Sequence, residues 1–498
     1  MTVVIGCDSF LALRNVRNGN LGEHLRDMGV VALVDPKQYE GSLAIAPEGV
    51  QVRPLIEFDA HKDKRLFPLM NRAYVARKAY YDPATMWEKM RTSSHKHHQK
   101  DSLRRAISLT RARAEFYRYR LAGAMGRAQV WRREFAAALQ QHPIMEEYRQ
   151  LLTELEAEVV VAFSLEGPRE MALIEAARKM GLPTAVMIRS RDNLAAKIQH
   201  LPDADAYCVW AEQTRDFLLH LYPEIPAEKV HITGSPQFDH HLDPQYRLSR
   251  EAFFQQIGLD PARPLVVYTC ATPELIDHEI NITQHLADAV RDGKLAKNAQ
   301  LLVRGHPRGF GSNYPLLKQT YPGVAVYPPP TDSPYKSGKH EAEIVKLILE
   351  DEPMHLATLA YQDVQVNVSG TMIVDSAIVD KPVVAVYYDI PANVLEGLSA
   401  KRFYKRSDMQ ALIKMGGFQL AHSPEECLSL INRALENPAL DAEGRARIRK
   451  QEIDRLDGKA GERLAGVIRG VMKPLTPQPP LPQVERGTVI PTPNPTPR

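Results

Sequence analysis

Val364-Gln-Val-Asn367-Val-Ser369-Gly370-Thr371-Met-Ile-Val-Asp375-Ser-Ala-Ile-Val-Asp-Lys-Pro382-Val-Val-Ala-Val386 reads as a strand, a turn of small residues, a short helix and a second strand. A helix-length stretch separates the two runs, so they pair as parallel strands joined by a crossover and not as a hairpin. The same rhythm extends in both directions. Strand-like runs stand at Thr2–Cys7, Val30–Val34, Val159–Ala162, Thr184–Ile188, Tyr207–Trp210 and Val230–Thr233, then at Leu265–Cys270, Leu301–Arg304 and Val324–Tyr327, with helical patterns between them. Most are nearly continuous in Val, Ile and Leu, as expected of strands covered on both faces. The fold class is therefore α/β with parallel sheets.

At 498 residues and about 100–200 residues per domain, the chain needs two large domains or three smaller ones. With 44% hydrophobic and 25% charged residues it is neither a disordered chain nor a disulfide scaffold. A net charge of +3 is too even for a chain-wide nucleic-acid binder, so any anion site must be local. Cys7, Cys208, Cys270 and Cys427 are scattered without zinc spacing and read as buried thiols of a reducing compartment. The opening Met-Thr-Val-Val-Ile-Gly-Cys reads as a first strand and not a signal peptide, and no apolar run approaches the roughly 20 residues that span a bilayer. The expected location is cytoplasmic, with a peripheral position at the inner face of a membrane left open.

Residues 60–140 have a different texture. Residues 60–135 carry 19 Lys/Arg against 6 Asp/Glu, with Ala, Leu, Tyr and Arg at helical spacing. This is expected to be a basic helical insertion within the first domain, either a solvated face or a contact for an anionic membrane surface or acceptor; nucleic acid is the less favoured partner. A fresh strand after Leu201-Pro-Asp-Ala-Asp205 suggests a domain boundary there. The expected organisation is a first domain over 1–205, a second over 206–423 and closing helices over 424–472. Residues 473–498, with nine prolines, are expected to be a disordered tail.

Several strand ends carry residues suited to anion chemistry. The Ser369-Gly370-Thr371 turn directs backbone N–H groups and two hydroxyls at whatever lies above its strand, which suits a phosphate, and Asp375 stands where a ribose diol could donate to it. Arg304, His306 and Arg308 follow another strand, and their forked or ring N–H groups also suit phosphate. Gly234-Ser235-Pro236 forms a further loop exit. In the first domain Glu166 follows a buried strand as a possible general base, and Asp8 with Arg14, Asn18 and Asn20 follows the first strand. Asp203-Ala-Asp205 and His95, His97 and His98 lack a convincing third ligand, so no metal is expected. There is no G-x-x-x-x-G-K-[ST], G-x-G-x-x-G or G-x-S-x-G, which disfavours a nucleotide triphosphatase, a dinucleotide oxidoreductase or a serine hydrolase.

Taken in order, Ser190-Arg-Asp192-Asn193, Val209-Trp210, Glu228 through Asp239, Gly305-His306-Pro307 and Val368 through Pro382 resemble glycosyltransferases of GT-B architecture. The similarity is to the CDP-glycerol glycerophosphotransferase-like and surface-polysaccharide glycosyltransferase families, over about half the chain. It implies two Rossmann-like domains facing across a cleft, the second holding a nucleotide-activated donor and the first a glycan or lipid-linked acceptor. On that resemblance His306 and Arg308 face the donor phosphates with Arg304, and Ser369, Gly370 and Thr371 cradle the pyrophosphate. Gly234 and Ser235 join the donor side, and Asp375 takes a ribose position where relatives have Glu. Arg14, Asn18 and Asn20 face the acceptor; Glu166, Asp8 and His306 are the catalytic candidates. No metal or cofactor beyond the donor is implied. The Gly-Thr-Pro-Leu-Lys signature of glycerophosphotransferases and the His-Val-Glu-Ala-Gly motif of nucleotide-sugar epimerases are missing, and Arg191 stands where relatives often have Trp. Sugar transfer for cell-surface glycan synthesis is the leading expectation. The alternatives are glycerophosphate transfer, nucleotide-sugar epimerisation, and a noncatalytic scaffold docking to an anionic surface or partner.

Overall fold

Among the described residues thirteen strands fall into two sheets, each parallel throughout. The computed structural model describes residues 1–272, 275–276, 278–306, 317, 320–321, 323–327 and 351–472; the expected tail over 473–498 and Arg308 lie outside them. The first sheet contains β1 (Thr2–Cys7), β2 (Gly29–Val34), β3 (Val50–Pro54), β4 (Ala157–Ala162), β5 (Thr184–Met187), β6 (Ala206–Val209) and β7 (Val230–Ile232). The second contains β8 (Leu265–Thr269), β9 (Gln300–Arg304), β10 (Val324–Tyr327), β11 (Val364–Asn367), β12 (Val383–Val386) and β13 (Gln419–Ala421). Their orders are β3-β2-β1-β4-β5-β6-β7 and β10-β9-β8-β11-β12-β13. Both are the doubly wound order, in which the chain reverses direction beside the first strand and opens a crevice at the carboxyl ends.

The expected boundary after residue 205 is corrected. Tyr207 pairs with Val186 on one side and Val230 on the other, so β6 and β7 complete the first sheet. The passage to the second sheet falls between Ile232 and Leu265.

Helices Leu66–Tyr81, Pro83–His97, Ser102–Ala124, Arg127–Gln140 and Ile144–Glu154 fill the connection from β3 to β4. Phe135, Leu139, Tyr148 and Leu152 bury against Val4 and Val160 on one face of the first sheet. The helix Pro83–His97 also reaches the second domain: Thr85 Oγ1 lies 3.1 Å from Ser407 Oγ, and Arg91 pairs with Glu396.

The chain crosses between domains twice. Helix Pro424–Glu436 packs on the second sheet through Cys427, Leu430 and Ile431. The segment beyond it returns, and helix Ala460–Met472 covers the other face of the first sheet with Leu464, Ala465 and Ile468 beside Val3 and Ile5. The expected closing unit over 424–472 is therefore divided between the two domains. Burying Leu464 and Ile468 contributes roughly 1.5–3 kcal/mol each. Docking is close: a Cβ on Gly461 would lie 1.7 Å from the Gly19 carbonyl oxygen, so the helices meet backbone to backbone. The Asp239 carboxylate accepts from the N–H groups of Ala460 (3.1 Å) and Gly461 (2.9 Å), occupying the start of the returning helix.

Arg191 fastens the return. Its Nε and Nη2 donate to the two carboxylate oxygens of Glu452 at 3.1 Å each, and Nη2 also donates to the Asp408 carbonyl at 3.0 Å. Arg191 and Glu452 are both buried, which explains an arginine at this place: it answers a carboxylate more than 200 residues later in the chain.

Candidate active site between the two sheets

The crevices of the two sheets open toward one another. Ser9, whose hydroxyl accepts from Ala12 N–H, starts the helix Phe10–Asn18 directly after β1. From this helix Arg14 reaches the second domain, its Nε 3.9 Å from Glu352 Oε1, and Asn18 Nδ2 donates to the same oxygen at 3.1 Å. Burial lowers the Arg14 pKa, partly countered by Glu352 and Asp375, while the nearby Arg189 lowers it further. Two cations of the first domain thus share the cleft with two carboxyls of the second.

Asp375 lies in the first turn of helix Met372–Ile378, one turn beyond Ser369-Gly370-Thr371. Burial pushes its carboxyl up to about 7, with Arg14 pulling the other way. Gly370 has φ +137°, which side-chain-bearing residues rarely adopt, and space for a Cβ around it is open. The N–H groups of Ser369, Gly370 and Thr371 have no backbone partner among the described residues. Asn367, the last residue of β11, is buried with both amide atoms unpaired there.

Where Asn18, His240 and Glu352 meet across the domains, Asn18 Oδ1, His240 Nε2 and Glu352 Oε2 are buried with no hydrogen-bond partner among the described residues, as are both amide atoms of Asn15 on the same helix as Asn18. Leaving such a group unsatisfied costs about 1–3 kcal/mol, so each is expected to be met by water or by a bound polar group. His240 Nδ1 meets Asn18 Nδ2 at 3.0 Å. Burial, then the neighbouring imidazole and Arg14, keep His240 neutral, so its ring accepts from Asn18. Burial and Arg14 lower His241 to about 4; burial with Arg304, His241, His240 and Arg14 lowers His355. Among the described residues no group of three or more His, Cys, Asp or Glu is placed to hold a metal ion.

The two carboxylates proposed for proton transfer differ in environment. Glu166 is occupied: Arg189 donates to it, Asn193 Nδ2 donates at 2.9 Å and Lys197 Nζ lies 3.5 Å away. Burial opposes its charge, but Arg189 and Lys197 hold the carboxyl below its usual range, which makes it a weak proton acceptor. Asp8 follows β1 and accepts from Arg169 Nη1 at 2.7 Å. Burial raises its pKa to about 6 despite Arg169, with Asp35 and Glu166 adding to the rise. Its Oδ2 would lie 1.9 Å from a Cβ on Gly167, so only glycine lets it sit there. Glu170, also raised by burial, ties the β4 turn by accepting from Ser164 Oγ and the N–H groups of Phe163 and Leu165.

Other expected site residues serve the framework. Arg304 is buried, donates to Asp351 and to Thr358 Oγ1, and lies over the Tyr327 ring, so it braces β9 against helix Glu352–Tyr361 instead of reaching for phosphate. Gly234 and Ser235 follow β7 in the first sheet, not the second, and Gly234 packs against Arg463 and Ala460 of the returning helix. Asn20 is an exposed turn residue with φ 48°. His306 follows β9 with its Nε2 3.4 Å from Thr272 Oγ1. Residues not foreseen are Arg189, Asn15, His240, Glu352 and Asn367. His240 follows directly on the Gly234-Ser-Pro-Gln-Phe-Asp239 loop, and its pairing with His241 was the available signal.

No protein-family model matches the chain, and no curated protein matches it. Among solved structures it is similar to UDP-GlcNAc 2-epimerase from Methanocaldococcus jannaschii, at 10% identity and TM-score 0.51 over 94% of this chain and 100% of that one. It is also similar to the UDP-GlcNAc 2-epimerase from Neisseria meningitidis bound to UDP-GlcNAc, at 10% identity and TM-score 0.50 over the same shares. The fold is GT-B. Likeness at this identity establishes that architecture, two Rossmann-ordered domains with the cleft between them.

Asp375 gives a pH prediction. Its raised folded pKa means that the stability it contributes is full below about pH 4 and lost as pH rises through about 7. Asp375→Asn is therefore expected to unfold at higher temperature than the parent at pH 8, with the gap closing by about pH 4. Melting curves across that range check it; a constant gap would mean that Asp375 is ionised throughout.

Proposed function

We propose that the chain is a glycosyltransferase that moves a sugar from a nucleotide-activated donor to a glycan or lipid-linked acceptor for cell-surface glycan synthesis. The observation that carries this reading is the meeting of two doubly wound crevices at the buried Asn18, His240 and Glu352, with Arg14, which Arg189 neighbours, facing Asp375 one turn beyond the Ser369–Thr371 turn. In this reading the donor diphosphate lies against that turn, within reach of His306 and the two arginines, and Asp375 takes the ribose. An acceptor hydroxyl attacks the anomeric carbon, its proton passes to Asp8, and the departing diphosphate charge is met by fixed N–H donors. No metal and no further cofactor is needed for that charge balance.

The test is a thermal-shift panel of UDP, GDP, CDP, TDP and CMP, led by UDP because the Neisseria structure holds a UDP-sugar. A ligand at about 100-fold its Kd adds roughly 2.7 kcal/mol of stability. Ser369→Ala with Thr371→Val is expected to weaken the nucleotide that binds and leave the melting curve without ligand unchanged. A panel that shifts nothing would remove the reading. Isomerised nucleotide sugar without acceptor would assign an epimerase, and CDP-glycerol turnover a glycerophosphotransferase.

A further inference from the structure

We propose that helix Ser102–Ala124 docks the protein onto an anionic lipid bilayer through its exposed face. At 100° per residue, Leu103, Ile107, Thr110, Ala114, Tyr117 and Leu121 fall in one stripe about 80° wide and about 27 Å long. All are exposed, with the large apolar members ranging from 55% at Ile107 to 70% at Leu103. Met125, just past the helix end and 69% exposed, prolongs the stripe. The opposite face is committed: Ala112, Phe116 and Gly123 are buried, and a Cβ on Gly123 would lie 2.4 Å from the Ala76 carbonyl oxygen. The helix therefore has two apolar faces, one holding it to the domain and one in solvent.

Charge selects what covers the second face. Arg104, Arg111 and Arg118 run along one side of the stripe, and Arg113 and Arg120 along the other. The helix has one acid, Glu115, which lies outside the stripe, 3.9 Å from Arg118. A second copy laid on the stripe would set arginine rows against arginine rows. A nucleic acid would leave Leu103, Ile107 and Leu121 uncovered. An anionic lipid surface takes both features at once, with the aliphatic side chains entering the acyl boundary and the arginines reaching the headgroups. Among the described residues no helix is long and apolar enough to cross a membrane, so the contact is interfacial. This inference stands on the helix face alone and is independent of the donor reading.

The experiment is co-sedimentation of the full chain with vesicles of phosphatidylcholine alone and with vesicles in which about a third of the lipid is phosphatidylglycerol. Binding is expected to the second only, and to weaken as salt is raised. Arg111→Gln/Arg118→Gln/Arg120→Gln should lower the partition coefficient about 100-fold, at about fivefold per arginine. Ile107→Ser/Leu121→Ser should abolish binding while circular dichroism stays unchanged, since both side chains are exposed. Equal binding to both vesicles, no binding, or binding insensitive to Ile107→Ser/Leu121→Ser would overturn the proposal. A concentration-dependent dimer lost in that double variant would assign the face to a second copy and overturn it as well.

Discussion

Arg191→Met is expected to destabilise the protein by about 3–5 kcal/mol, because it leaves the Glu452 carboxylate buried without its partner. The loss falls on the contact between the first domain and the returning segment, so the cleft should loosen along with the fold. Arg191→Met/Glu452→Leu should recover most of the loss, since a matched apolar pair carries no stranded charge. Denaturant titration of the three proteins decides it. A single-variant loss of only about 1 kcal/mol, the value of an exposed pair, would mean that water reaches Glu452.

Asp8→Asn is expected to lower kcat by about 10²–10⁴-fold with nucleotide affinity unchanged, because Asp8 belongs to the first domain and the proposed donor turn, Ser369–Thr371, to the second. The parent rate should rise with pH through about 6 as Asp8 loses its proton, and the variant should lack that rise. Arg169 retains Asp35 at 3.2 Å and Glu57 at 2.9 Å, so the fold is expected to persist. A variant of parental activity would place the acceptor base elsewhere. A variant with lost nucleotide affinity would move Asp8 to the donor side.

Most strands were legible because runs such as Thr2–Cys7 and Leu301–Arg304 are apolar on both faces, as central parallel strands must be. The two that escaped notice are β3, Val50-Gln-Val-Arg-Pro54, and β13, Gln419-Leu-Ala421. Both lie at sheet edges, where a partner covers one side only and polar residues such as Gln51, Arg53 and Gln419 are tolerated. The misplaced domain boundary has a related cause. A run like Tyr207–Val209 announces a strand, but the choice of sheet depends on pairing partners that local pattern does not encode. Among the candidate site residues, Ser369–Thr371 and Asp375 can be singled out from sequence because a turn, a glycine and a carboxylate at one-turn spacing are local. Arg304 was misread because its partners, Asp351 and Thr358, are some 50 residues away. Glu352 and Asn18 acquire meaning only when two domains bring them to 3.1 Å.

The return of Ala460–Met472 to the first sheet sets an order on biosynthesis. When the ribosome has finished β7, the face that carries Val3, Ile5 and Val161 still lacks Leu464 and Ile468, which are encoded more than 200 codons later. At about 5–20 residues per second, that interval lasts roughly 10–45 s. Throughout it the nascent first domain lacks the helix that completes this apolar sheet face. The two halves therefore cannot be exchanged as independent cassettes, because the first is completed by the helix Ala460–Met472.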